Sequence, residues 1–149
     1  MYEDEAKHAE RDRRRAPMPG MPAVTFRTVC LDCDDAQAMA RFYGGLLGWT
    51  PTRVEPGWVL MRDPGGAVGL SFQQDDRYER PTWPEEPGRQ QKMMHLEIRV
   101  SPQVADGEDE YSATDGQAAL DAAVSLALSA GGTLAGSQFR EDLRVILDP

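Results

Sequence analysis

Leu31–Trp49, LDCDDAQAMARFYGGLLGW, constrains the fold of this chain more than any other stretch. It follows Val24–Leu31, where alternation and β-branched residues around Phe26 predict a strand running on to Cys33. Asp34 or Asp35 then offers a side-chain oxygen to the free N–H groups of a new helix. Ala36, Met39, Ala40, Tyr43, Leu46 and Leu47 recur at steps of three and four and form one apolar stripe. Gly48 can take the left-handed conformation that ends a helix, and Trp49 opens the next extended run. The stretch reads as a strand, a helix with one buried face and a return to the sheet. Gly44 and Gly45 fall inside that helix, where each costs about 1 kcal/mol relative to Ala. Such a cost implies a helix backbone lying close against the sheet.

Three further strands are predicted at Trp49–Val54, Trp58–Arg62 and Val68–Gln73, with turns at Pro56-Gly57 and Pro64-Gly65-Gly66. Residues 24–73 thus make a β-α-β-β-β unit. A long polar connection over 74–92 follows, rich in proline and carrying Tyr78 and Trp83. Connections of that length are linkers or loops over a site, and Trp83, held between prolines, is the candidate lid residue or surface staple. Met93–Val100 alternates cleanly: Met94, Leu96, Ile98 and Val100 form an apolar face, while Met93, His95, Glu97 and Arg99 form the other. An acidic loop is expected over 101–116. A second helix is expected at Gln117–Ala130, ending at Gly131-Gly132, and strands at Thr133–Ser137 and Leu143–Leu147. The plan of 24–73 therefore recurs in 93–149, one strand short.

Charge and length exclude several functions. A net charge of -9 over 149 residues argues against a phosphate-backbone partner, and the basic run Arg13–Arg15 is read as a solvated stretch because of the acids around it. No apolar run approaches the roughly 20 residues needed to cross a bilayer, and the N-terminus shows no secretory segment, so a cytoplasmic protein is expected. Residues 1–22 are polar and proline-ended and are expected to be a disordered tail, with one domain over 23–149. Cys30 and Cys33 lie three apart on one strand and so point to opposite faces; two free thiols are expected. No P-loop, G-x-S-x-G elbow or calcium-loop spacing occurs.

Tandem β-α-β-β-β units resemble the vicinal-oxygen-chelate superfamily of glyoxalases, extradiol dioxygenases and bleomycin-resistance proteins. The acid turn followed by ARFYGGLLGW is similar to that family's F-Y-x-x-x-L-G signature. Leu31–Cys33, Phe42–Trp49, Pro81–Pro84, Gln91–Leu96 and Glu141–Pro149 follow the order of motifs in glyoxalase-like proteins. The resemblance implies an α+β fold, two tandem βαβββ units forming a curved mixed sheet with helices on the convex side and a ligand in the concave side. If the chain continues past Pro149, the family pattern predicts one more strand there.

Metal-dependent members use a histidine on the first strand, a histidine on the first strand of the second unit and a glutamate on the last strand. By register these fall on Thr28, on His95 and beyond the second unit as it stands, so one ligand of three remains. Only His8 and His95 occur in the chain, and His8 is in the tail. Glu97 and Asp32 are the carboxylates able to replace a missing ligand, since hard metals accept carboxylates. The expectation is accordingly a metal-free and cofactor-free glyoxalase-like protein. It would bind a small apolar or aromatic molecule through His95, Glu97, Thr28, Gln73 and Trp83, with no assigned catalytic residue. The alternatives are a metal-dependent lyase, isomerase or dioxygenase of the same superfamily, and a homodimeric interaction module built on an open sheet edge.

Overall fold

The computed structural model describes residues 22, 25–66, 68–100 and 116–149; the expectations for the tail and for the acidic loop lie outside this range. Strand β1 (Thr28–Cys33) leads into helix α1 (Ala36–Leu47), which is followed by β2 (Pro51–Glu55), β3 (Trp58–Arg62) and β4 (Gly69–Gln74). These strands form one sheet in the order β1-β4-β3-β2, with β1 and β4 parallel and the other pairs antiparallel. The parallel pair requires the chain to cross over, and α1 with the β2–β3 hairpin makes that crossing. Asp35, the second of the two capping candidates, accepts from the N–H groups of Gln37 and Ala38 at 2.9 Å each. Gly48 ends α1 in the left-handed region at φ 69°.

Register divides the sheet into two chemically different faces. Cα partners share a face, so Val29, Leu31 and Cys33 of β1 side with Leu70 and Phe72 of β4 and with Val59 and Met61 of β3. This face packs against Ala36, Met39, Ala40 and Tyr43 of α1, and Val59, Met61 and Phe72 have no solvent exposure. The Tyr43 ring stacks on Phe72 with centroids 5.4 Å apart. Gly44 lets α1 approach: a Cβ there would meet Trp49 O at 3.0 Å and Met61 Cε at 3.3 Å. Gly45 faces elsewhere, since its Cβ would meet the Ala130 side chain at 3.0 Å. The two glycines thus serve two interfaces, one with the sheet and one with the second half.

That second half holds helix α2 (Gly116–Ser129) and a two-residue antiparallel pair, β5 (Thr133–Leu134) and β6 (Ile146–Leu147). Helix α2 packs on α1 and β5. Phe42, outside the predicted stripe, is buried against this half, which makes α1 apolar on two sides rather than one. The expected strand Met93–Val100 is not formed. Met93, Met94, Ile98 and Val100 are exposed, and only Leu96 packs against the core. Alternation gives a segment an apolar face, but a strand also needs a ladder partner, and the short β5 and β6 pair with each other. The structure is therefore mixed α+β: residues 28–74 form a βαβββ unit, and the described residues after it add one helix and two short strands.

Gly132 sits where these parts meet. A Cβ at this position would lie 2.5 Å from Phe42 Cε2, 2.9 Å from Ile146 Cγ2 and 3.0 Å from Ala127 O. Gly132→Ala is expected to destabilise the fold by about 1–3 kcal/mol through overpacking. Urea titration checks this, with Gly65→Ala in an exposed turn as the comparison expected to change stability by less than half as much.

Candidate functional site

The face of the sheet turned away from α1 is left uncovered by that helix. Its side chains fall in three rows across the strands. The first row is Thr28, Gly69 and Arg62; the second is Cys30, Ser71, Leu60 and Arg53; the third is Asp32, Gln73, Trp58 and Glu55. Trp58, Leu60, Arg62 and Thr28 are half-buried, Ser71 is buried, and Cys30, Asp32 and Gln73 are exposed. The face therefore mixes two half-buried apolar side chains of one strand, Trp58 and Leu60, with polar groups on the strands to either side. The Cys30 thiol lies 3.9 Å from Gln73 Oε1, and the exposed Arg53 is paired with Glu55 at the margin.

Two residues expected at the site, Thr28 and Gln73, are brought to this one face by the β1–β4 register. The other three are not brought to it by any hydrogen bond or ion pair among the described residues. His95 Nε2 lies 3.5 Å from Glu97 Oε1, with side chains 66% and 88% exposed. Trp83 is tied to the loop before β6. Its Nε1–H donates to Ser137 O at 3.2 Å, Phe139 meets its ring edge-on with centroids 5.2 Å apart, and Lys92 Nζ sits 4.6 Å over the ring. Beside it Gln138, Phe139, Arg140, Glu141 and Arg144 border a shallow open depression. Trp58, Leu60 and Arg62 escaped the sequence reading. Their signal was present as an alternation opposite to Val59 and Met61, in a segment read only for strand propensity.

A second polar cluster lies on the α1 side. Tyr43 Oη donates to Asp148 Oδ2 at 2.9 Å, and Arg80 donates to the Asp148 carbonyl. Burial first, and then the Asp148 carboxylate, holds the Tyr43 phenol far above its ordinary range; Tyr78 is raised for the same reasons. Burial, with help from Asp34 and Asp35, pushes the Cys33 thiol up to about 11. These groups keep their protons at neutral pH, so the cluster works as a structural tie between α1 and the end of β6 and holds no poised nucleophile.

Among the described residues, no donor set for a metal ion is assembled. Thr28 offers a neutral hydroxyl, His95 pairs with Glu97 in solvent, and no three His, Cys, Asp or Glu side chains converge among the described residues. No helix among those residues is long and apolar enough to cross a membrane.

A family model described as a glyoxalase-like domain matches residues 28–149. Among solved structures, a possible glyoxalase from Bacillus cereus is 16% identical, covering 78% of this chain and 82% of that one with a TM-score of 0.47. A glyoxalase/bleomycin resistance protein/dioxygenase from Nocardioides is 19% identical, covering 100% of this chain and 85% of that one with a TM-score of 0.45. An integron cassette protein from the mobile metagenome of a Halifax Harbour sewage outfall is 13% identical, covering 76% and 77% with a TM-score of 0.44. No curated protein matches the chain.

The two thiols differ enough to test by chemistry. Cys30 is exposed and Cys33 is 1% exposed. Iodoacetamide should alkylate Cys30 alone in the native protein and both cysteines after unfolding, as read by peptide mass spectrometry. Because the folded state holds the Cys33 proton above its ordinary value of 9.0, the associated stability is complete below about pH 9 and is lost as pH rises through about 11. Melting temperature should fall over that window, and Cys33→Ala should flatten the fall.

Proposed function

The chain belongs to the glyoxalase-like domain family, and we propose that it is a small-molecule-binding member holding an apolar or aromatic ligand on the open face of its four-stranded sheet. The observation that carries this reading is the division of the sheet. One face is sealed by α1, while the other presents the half-buried Trp58 and Leu60 of β3, with Ser71 and Gln73 of β4 on one side, Arg53 and Glu55 of β2 on the other, and Thr28 beyond β4 on β1. An indole and an isobutyl group left partly in water gain free energy when a planar apolar molecule covers them. Thr28 and Gln73 supply directional hydrogen bonds beside them. In this proposal His95, Glu97 and Trp83 contribute from the second half of the chain, and their share is measured separately.

The reading as a metal-assisted lyase, isomerase or dioxygenase draws no support from the donor set. A homodimer has one specific observation in its favour: Met93–Val100 exposes Met94, Ile98 and Val100 on one alternating face without strand pairing. Light scattering distinguishes it, a dimer mass being expected if that segment is covered by a second copy.

Thermal-shift screening with planar aromatics tests the binding proposal, since a ligand that binds only the folded state raises the melting temperature. At least one compound is expected to do so. Trp58→Ala should weaken that compound's binding roughly tenfold, the loss of about 1.4 kcal/mol of stacking and burial. His95→Ala reports the contribution of the second half. A panel that leaves wild type and both variants unmoved would contradict the proposal.

A further inference from the structure

We infer that the open face selects an apolar monocarboxylate, with Arg62 and Thr28 holding the carboxylate in a notch over Gly69. The inference rests on the open face being the ligand surface and adds the chemical class of what lies there. Gly69 occupies the middle of the row Thr28–Gly69–Arg62. Arg62 Nη1 and Thr28 Oγ1 each lie 3.3 Å from the position a Cβ would take at Gly69. The same Cβ would lie 2.8 Å from Met61 O, so this position excludes a side chain and Gly69 puts none between the guanidinium and the hydroxyl. Two hydrogen-bond donors thus border one notch whose floor is bare backbone.

Among the described residues, Arg62 is also set apart by having no acceptor for its side chain. Arg53 pairs with Glu55, Arg77 with Asp75 and Arg140 with Asp142, while Arg80 and Arg144 donate to backbone carbonyls. Arg27, Arg41, Arg89 and Arg99 are exposed, where water satisfies them. Arg62 is half-buried, and no hydrogen bond or ion pair reaches it among the described residues. A partly desolvated guanidinium without a partner is unfavourable, and a carboxylate meets its planar fork with two parallel bonds.

The rest of the face fixes polarity and size. Asp32 and Glu55 stand in the third row, at the opposite end from Arg62, and repel a second anion there. Leu60 lies in the next row, roughly 7 Å along the strand from Arg62, and Trp58 roughly 7 Å beyond that. A carboxylate in the notch therefore puts one ring over Leu60 and a second toward Trp58. In a protein of net charge -9, long-range attraction does not favour an anion, so its binding depends on this local pair.

Calorimetry at low ionic strength with 2-naphthoate and its neutral amide, 2-naphthamide, tests the inference. The acid is expected to bind at least tenfold more tightly than the amide. Arg62→Met, which keeps the apolar stem, should erase that difference while leaving amide binding within about twofold; Thr28→Val should reduce it several-fold. Equal binding of acid and amide to the wild type overturns the carboxylate assignment and leaves the apolar face standing as a ligand surface. A preference for the acid that survives Arg62→Met also overturns it, because the anion is then held elsewhere. Absence of binding by either compound overturns both readings.

Discussion

The packing of α1 onto a single face of the sheet is the constraint on which everything else in this structure depends. Phe72, Val59 and Met61 are fully withdrawn from water beneath the helix, and Tyr43 stacks directly on Phe72. Strand alternation turns this burial into a rule for the other face. Once Val59 and Met61 point to the helix, Trp58, Leu60 and Arg62 must point away from it. A register slip of one residue would bury Arg62 and expose Met61, so the energy that seals the core also specifies which side chains line the open surface. Structure and candidate function are thus set by the same choice of register.

The second half is joined to this core through a few close contacts. Phe42 reaches from α1 toward Gly132 and Ile146, Tyr43 bonds Asp148, and Arg80 holds the Asp148 carbonyl. Trp83 anchors the long connection through Ser137 and Phe139. These ties use hydrogen bonds and ring edges where the first half uses continuous apolar area. The junction is therefore sensitive to shape at individual positions, Gly132 above all.

Much of the first half was legible in the sequence. Trp58–Arg62 has the expected bounds, α1 begins within a residue of the expected start, and Asp35 and Gly48 cap it as their chemistry predicts. These features rest on local rules, namely periodicity, side-chain capping and the left-handed freedom of glycine. What was not legible depends on partners distant in sequence. Phe42 is buried with its ring against Gly132, ninety residues away, so a stripe drawn for one interface left it out. Met93–Val100 has the alternation of a strand but no ladder partner among the described residues, and pairing is not encoded in alternation. Of the candidate residues, Thr28 follows from the register of the resemblance and Gln73 from alternation with apolar neighbours, and the sheet puts the two on one face. Arg62 became visible only when the register set it beside Gly69 and Thr28.

The central claim is that ligands meet this protein on the sheet face opposite α1. Its three tryptophans report separately on the core side, the open face and the long connection, as Trp49, Trp58 and Trp83. The most direct measurement is the indole N–H region of a nitrogen-15 NMR spectrum during titration with a planar aromatic acid. The account predicts that the Trp58 resonance moves with saturation while Trp49 and Trp83 stay within the shifts of a buffer control. Saturable movement at Trp83 or Trp49 with Trp58 unchanged would contradict it.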